Sequence, residues 1–107
     1  MRHLHPRELK AWLDDPHRDN PHLLDVREPW EFERCHIEGS ELLPMSGIPS
    51  RFGQLDPGRE TVVICHHGVR SFHVARFLEH NGFTEVINLT GGVDAWAKEV
   101  DPHMPLY

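Results

Sequence analysis

Behind Pro6, which suits a first helical position, Leu9, Trp12 and Leu13 recur at the i, i+3, i+4 spacing of one helix face, with Glu8 in the first turn. This pattern predicts a helix that Asp14-Asp15-Pro16 ends. His22-Leu23-Leu24-Asp25-Val26 is a short apolar run that stops at a charged rim, as a buried strand does. Pro29 to Cys35 reads as one or two helical turns, Glu41-Leu42-Leu43-Pro44 as a second strand, and Ile48 to Leu55 as a weak helix. Thr61-Val62-Val63-Ile64 is the strongest segment, an unbroken β-branched run suited to a central strand covered on both faces. A helix is expected from Phe72 to about Asn81, with Val74, Phe77 and Leu78 on its apolar face and Asn81-Gly82 as its stop. Glu85 to Leu89 reads as another strand, and Gly91-Gly92 opens a last helix carrying Val93, Trp96 and Ala97.

Strands alternating with helices at this short spacing predict an α/β fold: a mostly parallel sheet with helices on both faces. In such sheets ligands bind beyond the carboxyl ends of the strands, where Asp25 and Cys65 stand. The 107 residues suit one domain, residues 1–107. Two cysteines are too few for a disulfide scaffold, and no run approaches the length of a membrane span or of a secretory leader. A cytoplasmic location is therefore expected.

Charge narrows the partners. Eleven Lys and Arg against 17 Asp and Glu leave −6, which argues against nucleic acid and anionic membrane. Ten histidines make the surface charge sensitive to pH near 6.5. No metal or cofactor is expected, because Cys65, His66 and His67 are adjacent rather than spaced as ligands and the other histidines are scattered. Trp12, Trp30 and Trp96 lack a surrounding basic patch and read as packing residues.

The chemistry concentrates at Cys65-His66-His67-Gly68-Val69-Arg70-Ser71. A cysteine leaving a buried strand just before a helix faces unpaired backbone N–H groups and the positive end of the helix dipole. Successive loop amides form an anion-binding nest, and both effects favour the thiolate. Gly68 permits a turn that a Cβ would obstruct, and Arg70 offers a permanent cation to an oxyanion. Together these residues read as a nucleophile, Cys65, with an anion pocket made by His66, His67, Gly68, Val69, Arg70 and Ser71. The His66 and His67 side chains either add donors at the pocket mouth or point to solvent with only their amides engaged; both readings stand.

The ordered motifs Leu23-Leu24-Asp25-Val26-Arg27-Glu28, Glu31-Phe32, His36-Ile37-Glu38-Gly39-Ser40, the Cys65 loop, and Gly91-Gly92-Val93-Asp94-Ala95-Trp96 resemble those of single-domain rhodanese-like sulfurtransferases. The resemblance covers essentially the whole chain. It implies a five-stranded sheet with the active loop after the Thr61–Ile64 strand. It also implies that Cys65 takes a sulfane sulfur from a small anionic donor such as thiosulfate. The resulting persulfide passes its sulfur to a thiophilic acceptor such as cyanide, a thiol or a protein. The C-x4-R spacing from Cys65 to Arg70 is one residue shorter than the C-x5-R of cysteine-dependent phosphatases that share the fold. A phosphatase is accordingly the lesser alternative, and a non-catalytic binding module of the same fold is the other. Asp25 and Arg27 match a family motif and are expected to form a structural ion-pair network beneath the loop, with Glu28, Glu31 or His36 as partners. Cys35 departs from the glycine usual before His-Ile in the family and is expected to be a bystander.

Overall fold

The computed structural model describes residues 1–107 and places the β-branched run Thr61–Ile64 (β4) inside the sheet, hydrogen-bonded on both sides. On one side it pairs with His22–Asp25 (β2) in the register His22↔Thr61 to Asp25↔Ile64; on the other it pairs with Val86–Leu89 (β5). Glu41–Leu42 (β3) extends the sheet beyond β2, and Arg2–Leu4 (β1) closes it beyond β5. The order is β1-β5-β4-β2-β3, and every pairing is parallel.

Helices cover both faces. Pro6–Asp14 (α1) and Gly92–Glu99 (α5) pack on one, while Ile48–Arg51 (α3) and Val69–His80 (α4) pack on the other. Pro29–Arg34 (α2) follows β2. The pleat sorts side chains by parity: Val62 and Ile64 join Leu9, Trp12, Val93 and Trp96, whereas Val63 and Cys65 join Ile48, Val74, Ala75 and Leu78. All four β4 residues are buried, and each aliphatic one contributes about 2 kcal/mol by leaving water. Parity thus places the Cys65 side chain on the α4 side.

The observed elements differ from expectation in ways that matter for the site. β1 is too short and polar, Arg-His-Leu, to show a strand pattern, yet it pairs along β5 from Arg2↔Ile87 to Leu4↔Leu89. Of the expected strand through Pro44, only Glu41–Leu42 is regular strand, although the Leu43 and Met45 amides still donate to the Asp25 and Val26 carbonyls. The expected helix from Ile48 to Leu55 is α3 followed by a 3₁₀ turn at Phe52–Gln54. Most consequential, α4 begins at Val69 rather than Phe72. Gly68 adopts φ +100°, which lets the chain enter the helix at once, so Arg70 and Ser71 ride the first turn instead of the loop. No helix is long and apolar enough to cross a membrane.

Candidate active site

The backbone leaving β4 folds tightly around its own cysteine. Cys65 is 1% exposed, and its Sγ accepts the Gly68 N–H at 3.0 Å. That bond points a loop amide at the sulfur, from the side where the α4 dipole presents its positive end. The thiol also lies 3.3 Å from Ser71 Oγ, to which it donates. Ser71 in turn donates a short hydrogen bond to Asn88 Oδ1, and Asn88 Nδ2 donates to the Gly68 carbonyl at 3.3 Å. The four residues Cys65, Ser71, Asn88 and Gly68 therefore close a ring of hydrogen bonds. Asn88, 5% exposed on β5, was not singled out from sequence; the signal was an amide inside the apolar run Val-Ile-Asn-Leu.

The loop rests on the start of α5. The Val93 N–H donates to the Cys65 carbonyl at 2.9 Å, and the Asp94 N–H to the His66 carbonyl at 3.0 Å. These bonds satisfy two orphan donors of the α5 N-terminus. A Cβ on Gly92 would lie 2.3 Å from the Cys65 carbonyl oxygen and 2.5 Å from that of His66. In the sequence Gly91-Gly92 reads as a helix start within a family motif; the structure makes Gly92 the point where two backbones touch.

Arg70 is not a lone cation. Its two terminal nitrogens clasp Glu31 at 2.7 and 2.9 Å, the fork geometry favoured by guanidinium and carboxylate. Three of the five N–H donors of a guanidinium remain for another acceptor. The Arg70 side chain is 34% exposed and that of Glu31 only 5%. The hydrogen bonds from Arg70, opposed by burial, hold the Glu31 carboxyl down at about 2. Glu31 also accepts the Glu28 N–H at 3.0 Å, the capping contact that starts α2, and the Tyr107 hydroxyl at 2.8 Å. Burial pushes Tyr107 up to about 12, its hydrogen bond from Arg27 opposing.

From Tyr107 the network continues inward. Arg27 donates to the Tyr107 hydroxyl at 2.7 Å, to the Cys35 carbonyl at 2.7 Å, and through Nε and Nη2 to both oxygens of Asp25. Asp25 and Arg27 are both 0% exposed. Burial alone would lower the Arg27 pKa, but Asp25 and Tyr107 outweigh it and the net shift is upward. The expected ion-pair network is present, with Glu31 as the partner that joins it, through its backbone carbonyl and through Tyr107; the side chains of Glu28 and His36 stay outside it. Tyr107 is the member that nothing in the sequence marks.

The two loop histidines part company. His66 is half-buried, its ring stacked on Tyr107 at 3.9 Å and 6°, and tilted against His67 at 3.9 Å. Desolvation, followed by the proximity of His67, lowers its pKa. His67 is 62% exposed, with Nδ1 3.9 Å from Asp94 Oδ2. Neither a simple solvent orientation nor a simple pocket orientation describes His66, because the C-terminal tail covers its ring. Val69 is 64% exposed at the top of α4. Cys35 is a free thiol in the core layer opposite that of Cys65, so the sheet separates the two sulfurs. A groove of about 710 Å³ between α1, α5 and the His36–Gly39 turn contains none of the Cys65 loop residues.

A buried sulfur at a strand end, met by the Gly68 amide and with an arginine on the same helix turn, can attack an electrophilic sulfur and hold the resulting negative charge. Known proteins are similar to this chain in sequence and in shape. A protein named probable adenylyltransferase/sulfurtransferase MoeZ, from Mycobacterium tuberculosis, is 40% identical over 104 residues, covering 95% of this chain and 26% of that protein. The chain thus spans about a quarter of that relative. A sulfurtransferase from Allochromatium vinosum is 37% identical over 76 residues, 71% of each chain. The crystal structure of a rhodanese-like domain protein from Staphylococcus aureus superposes with a TM-score of 0.84 at 29% identity, covering 100% of this chain and 99% of that one. With residues 5–99 matching the family described as Rhodanese-like domain, the resemblance in the motifs extends to the fold, and the chain belongs to that family.

Proposed function

We propose that this chain is a sulfurtransferase in which Cys65 carries a sulfane sulfur as a persulfide. The observation that carries the reading is the buried Cys65 Sγ accepting the Gly68 amide within a loop pinned to α5. Thiosulfate serves as donor. The Cys65 thiolate attacks its outer sulfur, the S–S bond of the donor breaks, and sulfite leaves with the bonding pair. The persulfide outer sulfur is then attacked by cyanide or a thiolate, which releases the Cys65 thiolate and regenerates the site. No added base is required, since the loop amide, the α4 dipole and the free N–H groups of Arg70 hold the negative charge at each stage. Gly68, Val69, Arg70 and Ser71 bind the anionic donor with the His66 and His67 amides, and the acceptor approaches over the exposed Val69. Placement of the two thiols in separate core layers suits a reducing compartment such as the cytoplasm.

Intact-mass spectrometry after incubation with thiosulfate tests the reading. The expected result is a gain of one sulfur on wild type, discharged by cyanide as thiocyanate, and no gain on Cys65→Ser. A chain that takes no sulfur from thiosulfate or any other sulfane donor overturns it. In that case, hydrolysis of a phosphate ester would point to a phosphatase, and absence of both activities to a binding module.

A further inference from the structure

One group of side chains at the loop has no part in that sulfur chemistry. His66, His67 and Asp94 each bring one ligand atom to within 4.8 Å of the others. The His66 Nε2 is buried with no hydrogen-bond partner. The His67 Nδ1 lies 3.9 Å from Asp94 Oδ2, beyond hydrogen-bond reach. Lys98 holds Asp94 through Oδ2 at 2.9 Å, which leaves Oδ1 open. Sequence spacing concealed the group, because the third member arrives from α5 rather than from the loop.

The arrangement is held by backbone. The Asp94 amide on the His66 carbonyl and the Val93 amide on the Cys65 carbonyl tie α5 to the loop, and Gly92 allows that approach. The backbones of two of the three residues are thus tied to each other, and the side chain of the third, His67, is 62% exposed.

We propose that His66, His67 and Asp94 form a binding site for a divalent transition-metal ion, with Zn²⁺ the best match. Two imidazole nitrogens and one carboxylate oxygen make a three-ligand zinc set with a fourth position open, and imidazole excludes Mg²⁺ and Ca²⁺. Ligand atoms about 2.0–2.1 Å from a tetrahedral ion lie roughly 3.4 Å apart, so rotation of His67 must close the remaining distance. Because His66 follows Cys65 directly, the ion adds positive charge at the edge of the loop that carries the sulfur.

Calorimetric titration with ZnCl₂, with Co²⁺ absorption as a spectroscopic check, reads the site without any sulfur-transfer assay. One zinc per chain is expected, removed by EDTA. Binding weakens about tenfold or more in His67→Gln and in Asp94→Asn, and is unchanged in Cys65→Ser. Thermal melts of the two ligand variants, both altered at or near the surface, verify that they fold. Three outcomes overturn the proposal: no zinc binding at millimolar concentration, equal binding in all variants, or loss of zinc only in Cys65→Ser, which would make the thiolate the ligand.

Discussion

Glu31 and Arg70, 39 residues apart in sequence, meet as a two-point ion pair at the start of two helices, α2 and α4. The pair lets the Cys65 loop keep an arginine beside it without an uncompensated buried charge. It also orients the guanidinium edge-on, so its unused N–H groups are held in place before any anion arrives. Glu31 is therefore a positioning residue whose loss should move the arginine.

Glu31→Gln should cost about 2 kcal/mol of stability at neutral pH, discounted for the partial exposure of Arg70. The folded-state value of about 2 lies below the ordinary 4.5, so the carboxylate stabilises the fold fully above pH 4.5. Its contribution shrinks as pH falls through that window and is gone near pH 2. Urea unfolding of wild type and variant at pH 7, 4 and 3 should show the difference between them narrowing. A gap that stays constant with pH would mean the carboxylate charge is not what holds the pair. In sulfur transfer, the variant should raise the KM for thiosulfate more than it lowers kcat.

The contrast between Arg70 and β4 explains what the sequence could disclose. β4 is legible because its four β-branched residues are contiguous and its parity is forced by the pleat. The parallel α/β class follows from the alternation of elements alone. The partners of Arg70 and Arg27 are another matter: Glu31 lies 39 residues from the first, and Tyr107 lies 80 from the second. No local periodicity encodes such contacts, and each partner is one of many acids or aromatics until the sheet order is known. Asn88 is hidden for the same reason, since its strand position is readable but its partners, Ser71 on α4 and the Gly68 carbonyl, are not. β1 was missed because edge pairing needs backbone, not apolar side chains.

Asp25→Asn should cost about 3–5 kcal/mol, the cost of leaving the fully buried Arg27 guanidinium without its counter-charge. The expected sign is a lowered melting temperature, with transfer activity retained in whatever fraction stays folded. Thermal denaturation beside turnover per folded molecule separates the two effects. An unchanged melting temperature with lost turnover would instead place Asp25 in the chemistry.

Cys35→Ser should keep sulfur transfer within about twofold, because the Cys35 side chain lies in the core layer opposite that of Cys65 and only its carbonyl serves Arg27. A modest loss of stability, about 1 kcal/mol, is expected from placing a hydroxyl among apolar neighbours. Mass analysis after thiosulfate should show sulfur on Cys65 alone. A second sulfur lodged on Cys35, or transfer lost in the variant, would end its reading as a bystander.

Gly92→Ala tests whether the loop and α5 must touch. The added Cβ would come within 2.3 Å of the Cys65 carbonyl and 2.5 Å of the His66 carbonyl, at a backbone φ of +59°. Backbone atoms cannot turn aside as a flexible side chain can, so the Val93 and Asp94 hydrogen bonds to the loop must lengthen or break. The Gly68 amide would then lose its aim at Cys65 Sγ. Gly82→Ala is the matched control: φ is +90°, but nothing lies within 4 Å of the added carbon. The control should lose only about 1 kcal/mol of stability from backbone strain and keep its turnover. Gly92→Ala should lose more stability than that and at least about tenfold in kcat, the signature of a misplaced nucleophile. Equal turnover in the two variants would show that the chain can hold Cys65 in place without the α5 contact.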